Sequence, residues 1–128
     1  MSDYPNDVRY TKEHEWARKE GDLVRVGVTA FAVDQLGDVT LVDLPKVGDK
    51  LDAHGHFGDI ESVKTVSELF APVAGVVAEV NGALEGSPEL VNEGPYDKGW
   101  MIVLSGAGSL DGLMDAAAYE EYLGTLDH

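Results

Sequence analysis

The chain has 128 residues and no cysteine, which excludes disulfide staples and any thiolate chemistry supplied by the protein itself. It also lacks an apolar run long enough to cross a bilayer as a helix. Residues 1–9 include Asp3, Asn6 and Asp7. They have neither the apolar core of a secretory signal nor the Arg-rich, acid-poor character of a transit peptide. A cytoplasmic location is the expectation. Positive charge is scarce too: 9 Lys and Arg stand against 24 Asp and Glu, a formal net charge of −15. Such a surface repels phosphate backbones and anionic membranes, so neither nucleic acid nor membrane is an expected partner. The acidic surplus suits solubility or a salty cytoplasm, and it equally suits steering toward basic faces on partner proteins. There is no Ser-His-Asp order, no phosphate-cradling glycine motif and no acid pair in an apolar setting, so the residues make no case for an independent enzyme.

What is present reads as a single domain over residues 1–128, with a hydrophobic content of 44% that suffices for one core. The segments are short, alternating and separated by glycines, a pattern of β-strands with small helical inserts. Residues 22–29 place Val24, Val26 and Val28 on one face. Thr29 is a candidate cap for a short helix through Phe31, Val33 and Leu36, stopped by Gly37. Residues 38–44 return as a strand, and Pro45 and Gly48 mark the turn before Leu51. Residues 57–63 and 65–70 are two further strands with Lys64 between them. Pro72 and Gly75 mark a turn, and residues 76–80 are a β-branched run. Residues 81–95 read as loop with one helical turn around 89–91, and residues 100–104 form the last strand. Ser109 is the expected cap of a terminal helix whose apolar stripe is Leu110, Leu113, Met114 and Ala117. No long helix alternates with the strands, so two small antiparallel sheets, as a sandwich or flattened barrel, fit better than a parallel sheet.

Lys64 is the only Lys or Arg between Lys50 and Lys98, among nine carboxylates over residues 51–97. On charge alone it reads as a solvated turn residue balancing Asp59, Glu61 and Glu68. It is also an isolated amine at a hairpin tip, a shape that an acylating enzyme can grip. With an ordinary pKa near 10.4 such an amine is protonated at neutral pH, so acylation would require an enzyme and an activated acyl group. His54-Gly-His56 offers two imidazoles but no third ligand at suitable spacing, so no metal site is expected. His14, Trp16 and Trp100 read as packing residues.

The wording around Lys64 adds more. Glu61-Ser-Val-Lys64-Thr-Val-Ser-Glu-Leu-Phe-Ala-Pro-Val-Ala-Gly75 resembles the lipoyl-attachment region of glycine cleavage H proteins. Tyr10-Thr-Lys-Glu-His-Glu-Trp16 resembles that family's N-terminal motif, and Gly27-Val-Thr-Ala with Leu36-Gly-Asp-Val through Leu44-Pro-Lys-Val-Gly48 its next one. Pro88-Glu-Leu-Val-Asn-Glu-Gly-Pro-Tyr96 and Gly99-Trp-Met resemble its C-terminal one. The resemblance runs over residues 8–122 in the family's order. Biotin carriers usually show Met-Lys-Met, and the lipoyl domains of 2-oxoacid dehydrogenases typically Asp-Lys-Ala; here the text is Val63-Lys64-Thr65. Thr65 stands where Ala is frequent, and Glu13 where the family often has a small hydroxyl residue.

The resemblance implies a lipoyl/biotinyl-carrier-like barrel-sandwich hybrid of small antiparallel sheets, with a short internal helix and a C-terminal helix. It implies covalent lipoate on Lys64 and a non-catalytic shuttle role. The arm would take an aminomethyl group from the pyridoxal-phosphate glycine decarboxylase. It would deliver the one-carbon unit to the tetrahydrofolate-dependent aminomethyltransferase, then pass electrons to dihydrolipoamide dehydrogenase, which uses FAD and NAD. A lipoate-attaching enzyme is a fourth partner, and Glu61 aligns with a residue implicated in its recognition. Glu15 and Glu68 align with residues of the cleft that receives the loaded arm. No interface is legible, so a monomer is expected. An H-like carrier or lipoyl donor serving another pathway would use the same Lys64 chemistry. A biotin carrier or an unmodified acidic module are the remaining alternatives.

Overall fold

Period-two alternation of Val and Leu with polar residues builds antiparallel strands along most of the chain. The computed structural model describes residues 5 and 7–125; of the N-terminal stretch read above for the absence of a signal, Asp3 and Asn6 lie outside them. The strands are β1 (Arg9–Tyr10), β2 (Glu15–Glu20), β3 (Leu23–Val28), β4 (Val39–Asp43), β5 (Lys50–Leu51), β6 (His56–Ser62), β7 (Val66–Phe70), β8 (Gly75–Val80) and β9 (Ile102–Ser105). One sheet has the order β1-β2-β3-β9-β8-β5 and the other β4-β6-β7. Every pairing among the described residues is antiparallel. Among the described residues no ladder closes the two sheets into a barrel; β5, β4 and β7 are edges, and β1 is flanked only by the single bridge of Tyr10 to Met114.

The helices are short: α1 (Ala30–Leu36), α2 (Ala83–Gly86), α3 (Leu90–Glu93) and α4 (Ala116–Gly124). Thr29 caps α1 as its sequence suggests, its side chain accepting from Ala32 N–H, and Gly37 at φ 76° ends it, a conformation that favours glycine.

The terminal helix differs from expectation. It starts at Ala116, and its cap is Asp115, whose side chain accepts from Ala118 N–H at 2.8 Å. Ser109 instead accepts from Asp111 N–H within a local turn. The intervening Met114 exchanges both backbone hydrogen bonds with Tyr10, and a backbone committed to that extended pairing cannot join a helix. The buried stripe is therefore Ala116, Tyr119 and Leu123. The last strand begins at Ile102, two residues later than expected, although Met101 already donates its N–H to Val26 O and accepts from Asn81 N–H at its carbonyl. Strand β2 and helix α2 have no counterpart in the reading of the sequence.

Two apolar clusters hold these elements. The larger lies between the sheets and includes Val26, Leu36, Ile60, Leu69, Val77 and Leu104. The smaller, aromatic one joins Tyr10, Trp16 and Tyr119 under α4, with Tyr10 and Tyr119 rings stacked at 4.6 Å. Gly27 allows Trp16 into this place: a Cβ there would lie 2.7 Å from the indole.

Candidate functional site

Lys64 sits at the tip between β6 and β7, where the chain is fastened by its neighbours. Ser62 N–H donates to Thr65 O at 2.8 Å, and the N–H groups of Lys64 and Thr65 both donate to Ser62 Oγ at 3.2 Å. Val63 N–H donates to Asp38 O at 3.1 Å, which ties the tip to the link between α1 and β4. That link is held in turn by Asn92, which accepts from Val39 N–H at 2.9 Å and donates to Gly37 O at 2.7 Å. The Lys64 stem lies across Gly37, where a Cβ would come within 3.3 Å of Cε. Lys64 itself is exposed, with Val63 68% and Val66 62% exposed beside it. Among the described residues no carboxylate forms an ion pair with it. The tip therefore presents a free amine on a rigid backbone, which suits acylation.

Beside the tip runs a groove of about 190 Å³ between β7 and α1. Ala32, Gln35 and Leu36 form one wall, and residues 65–69 the other, with Glu13, His14 and Glu15 along the base. The structure thus brings Glu15 and Glu68 to one groove with the lysine at its head. They differ in character. Glu68 is exposed. Glu15 is 1% exposed; one carboxyl oxygen accepts from Thr11 Oγ1–H at 3.0 Å and the other from Phe70 N–H at 3.3 Å. Burial pushes its pKa up to about 8, opposed by the hydrogen bonds from Phe70 and Thr11 and assisted by the negative charge of Glu13. Burial thus favours the neutral acid at Glu15.

Glu61 lies apart from the groove. It stands in β6 between Leu41 and Val66, on the outer face of the three-stranded sheet, where the two strand partners are exposed. The two histidines of the His-Gly-His motif do not converge: His54 Nδ1 faces Glu13 at 3.4 Å and His56 Nε2 faces Asp59 at 3.0 Å. The hydrogen bond to Asp59 raises the His56 pKa. His14 packs on the Phe31 ring at 4.6 Å, and its Nδ1 is 2.8 Å from Tyr119 OH, which is also 2.8 Å from Thr29 Oγ1. Burial lowers the His14 pKa. Trp16 is buried and donates Nε1–H to Pro95 O at 2.9 Å. Trp100 lies under the Arg25 guanidinium, 4.5 Å from its ring centre.

Three features escape a reading of the sequence: the depth of Glu15, the partnership of Glu13 with His54, and Asn92 as the clasp behind the tip. Glu15 alone leaves a signal there, since it alternates with Ala17 in a stretch that also carries Trp16.

A free lysine on a fastened hairpin, beside a groove that could receive what it bears, defines a carrier domain. The family model described as Glycine cleavage H-protein matches residues 8–126. The glycine cleavage system H protein of Halalkalibacterium halodurans is 54% identical over 125 residues, covering 96% of this chain and 98% of its own. That of Symbiobacterium thermophilum is 53% identical over 124 residues, covering 95% and 97%. The crystal structure of a glycine cleavage system H protein from Mycobacterium marinum superposes with a TM-score of 0.86 at 40% identity, covering 94% of this chain and 99% of that one. The chain belongs to the glycine cleavage H-protein family, whose members are carrier components of that system and not enzymes.

Proposed function

We propose that Lys64 is the lipoyl attachment site, and that this chain, one domain over residues 1–128, shuttles the lipoyl arm among the glycine cleavage enzymes in the cytoplasm. Its partners on this reading are the pyridoxal-phosphate glycine decarboxylase, the tetrahydrofolate-dependent aminomethyltransferase and the FAD- and NAD-linked dihydrolipoamide dehydrogenase. A lipoate-attaching enzyme loads it, and the chain itself works as a monomer. The observation that carries the reading is the exposed Lys64 side chain on a backbone held by the Ser62 clasp, at the head of an acid-lined groove. When bound, the lipoyl group supplies a dithiolane that accepts the aminomethyl unit and two electrons.

The chain's own residues do the rest. Ser62 and Asp38 fix the tip, so the attaching enzyme meets one backbone shape and loses little affinity to ordering it. Glu61, with exposed Leu41 and Val66 on either side, gives that enzyme a face beside the lysine. Acylation replaces the ammonium of Lys64 with a neutral amide, which removes the charge that would hold the stem in water. The groove, with Glu15 in its base and Glu68 on its edge, then receives the loaded arm and shelters it from water between partners. Tethering raises the concentration of the arm at each docked enzyme.

The test is an intact mass after incubation with lipoate, ATP and a lipoate ligase. The wild type is expected to gain one lipoyl amide and Lys64→Arg none. A folded wild type that gains no mass removes the reading.

A further inference from the structure

The chain contains one Asn-Gly step, Asn81-Gly82, and one Asp-Gly step, Asp111-Gly112. In both, the side-chain carbonyl carbon can be attacked by the next backbone nitrogen, which glycine, lacking a Cβ, leaves open to approach. Closure gives a five-membered succinimide and releases ammonia from Asn or water from Asp. Water then opens the ring, and opening at the α-carbonyl leaves an isoaspartyl residue. The fold treats the two steps differently. Asn81 is 8% exposed; its Nδ2 donates to Lys98 O at 2.9 Å and Trp100 O at 2.8 Å, and its Oδ1 accepts from Ala83 N–H at 3.3 Å. Turning that amide toward Gly82 N would break all three bonds within the fold. Asp111 and Gly112 are instead exposed, at the centre of a turn closed by Leu113 N–H to Leu110 O at 3.0 Å. Asp111 N–H donates to Ser109 Oγ at 3.1 Å. Among the described residues neither the Asp111 carboxylate nor the Gly112 N–H has a hydrogen-bond partner. A Cβ at Gly112 would meet nothing within 4 Å, so the turn has room to close the ring.

We infer that Asp111-Gly112 is a site of succinimide-mediated isomerisation in the folded protein, and that its isoaspartyl product is a substrate for an isoaspartyl carboxyl methyltransferase. Asn81-Gly82 is protected by its burial. The methyltransferase moves a methyl group from the sulfonium of S-adenosylmethionine to the isoaspartyl α-carboxylate, and the donor leaves as a thioether. Attack of the Gly112 nitrogen on that ester expels methanol and restores the succinimide, from which water can regenerate Asp111. The exposed turn presents the residue to such an enzyme without unfolding. Unrepaired, the additional main-chain carbon lies three residues before Met114, whose backbone pairs with Tyr10 at the entry to α4. The site shares no residue with the lysine tip or its groove.

The test ages the full chain at neutral pH, folded in one sample and in denaturant in another. Each is then treated with a purified isoaspartyl methyltransferase and isotopically labelled S-adenosylmethionine, and the label is placed by peptide mapping. In the folded sample label is expected at Asp111, growing with time. Deamidation of Asn81 is expected to be slower there than in denaturant by about tenfold or more, because it awaits local opening. Asp111→Glu keeps the charge but would need a six-membered ring, and is expected to lose the label at this turn. Asp111→Asn makes the same chemistry visible as a mass change, and is expected to deamidate in the folded chain while Asn81 stays intact. Label absent from Asp111 in the folded wild type, or a folded Asp111→Asn protein as stable to deamidation as Asn81, overturns the inference. Deamidation of Asn81 at equal rates in folded and denatured chains overturns its protection.

Discussion

The lysine tip and the aromatic cluster below the groove are built by opposite rules. At the tip, Val63 and Val66 stand in solvent and order comes from hydrogen bonds, to the Ser62 hydroxyl and the Thr65 and Asp38 carbonyls. Under the groove, Tyr10, Trp16 and Tyr119 have no exposed surface and order comes from packing. A hydrogen-bonded tip can be gripped, modified and released without disturbing the core. A packed base keeps the receiving groove in shape whatever the tip is doing. On the proposed reading, the division separates what partners handle from what must not move.

The comparison breaks most visibly in the base. Trp16→Ala empties a fully buried site and leaves the Pro95 carbonyl without its donor. A loss of about 3–5 kcal/mol is expected from such a truncation, read as a fall in the midpoint of chemical unfolding. The remaining predictions sharpen it.

Glu15 makes the base sensitive to pH. Its carboxyl is raised from the ordinary 4.5 to about 8, so the folded state holds a proton that the unfolded chain gives up above about pH 4.5. Burial of the neutral acid is thus tolerated at low pH, and stability falls as pH rises from there through about 8. Each tenfold difference in proton affinity between the folded and unfolded chain corresponds to about 1.4 kcal/mol. Glu15→Gln, which mimics the protonated acid, is expected to flatten this decline. Parallel slopes for wild type and variant in denaturant titrations at pH 5, 7 and 8.5 would show that another group is responsible.

The tip should respond more weakly in stability and more in recognition. Ser62→Ala removes the acceptor for two N–H groups that water can reach, and an effect of about 1 kcal/mol or less on unfolding is expected. Lipoylation should nonetheless show a raised KM for the variant, because the attaching enzyme must order the tip itself. Smallest of all, Val63→Ser is expected to change stability by no more than about 0.5 kcal/mol, measured by thermal unfolding.

The same contrast explains what can be read from the sequence. Lys64 is legible because its isolation among carboxylates and the motif around it are local in the chain. Helix α1 is legible because Thr29 and Gly37 carry their own capping chemistry. Strand β2 is not, since Glu15-Trp-Ala-Arg-Lys-Glu20 mixes charges with its buried residues. Arg18 and Glu20 are accommodated by pairing with each other, with Arg25 holding Glu20 and the Tyr96 carbonyl holding Arg18 as well. The start of α4 is hidden because the backbone pairing of Met114 with Tyr10 spans most of the chain. The contacts of Glu13 and Asn92 depend on loops distant in sequence, His54 for one and Gly37 with Val39 for the other. No local pattern announces such meetings.

The Asn92 clasp carries one more implication. The position of Lys64 is fixed through Asp38, that of the 37–39 link through Asn92, and Asn92 belongs to α3, in a stretch whose sequence reads mostly as loop. Gly37, over which the lysine stem lies, is the shared joint. On the proposed reading that Lys64 bears the arm, a change in residues 90–93, far from that lysine along the chain, would shift the pivot from which the arm swings. Such a substitution would show itself as altered reach between enzymes, with the fold and the lysine both intact.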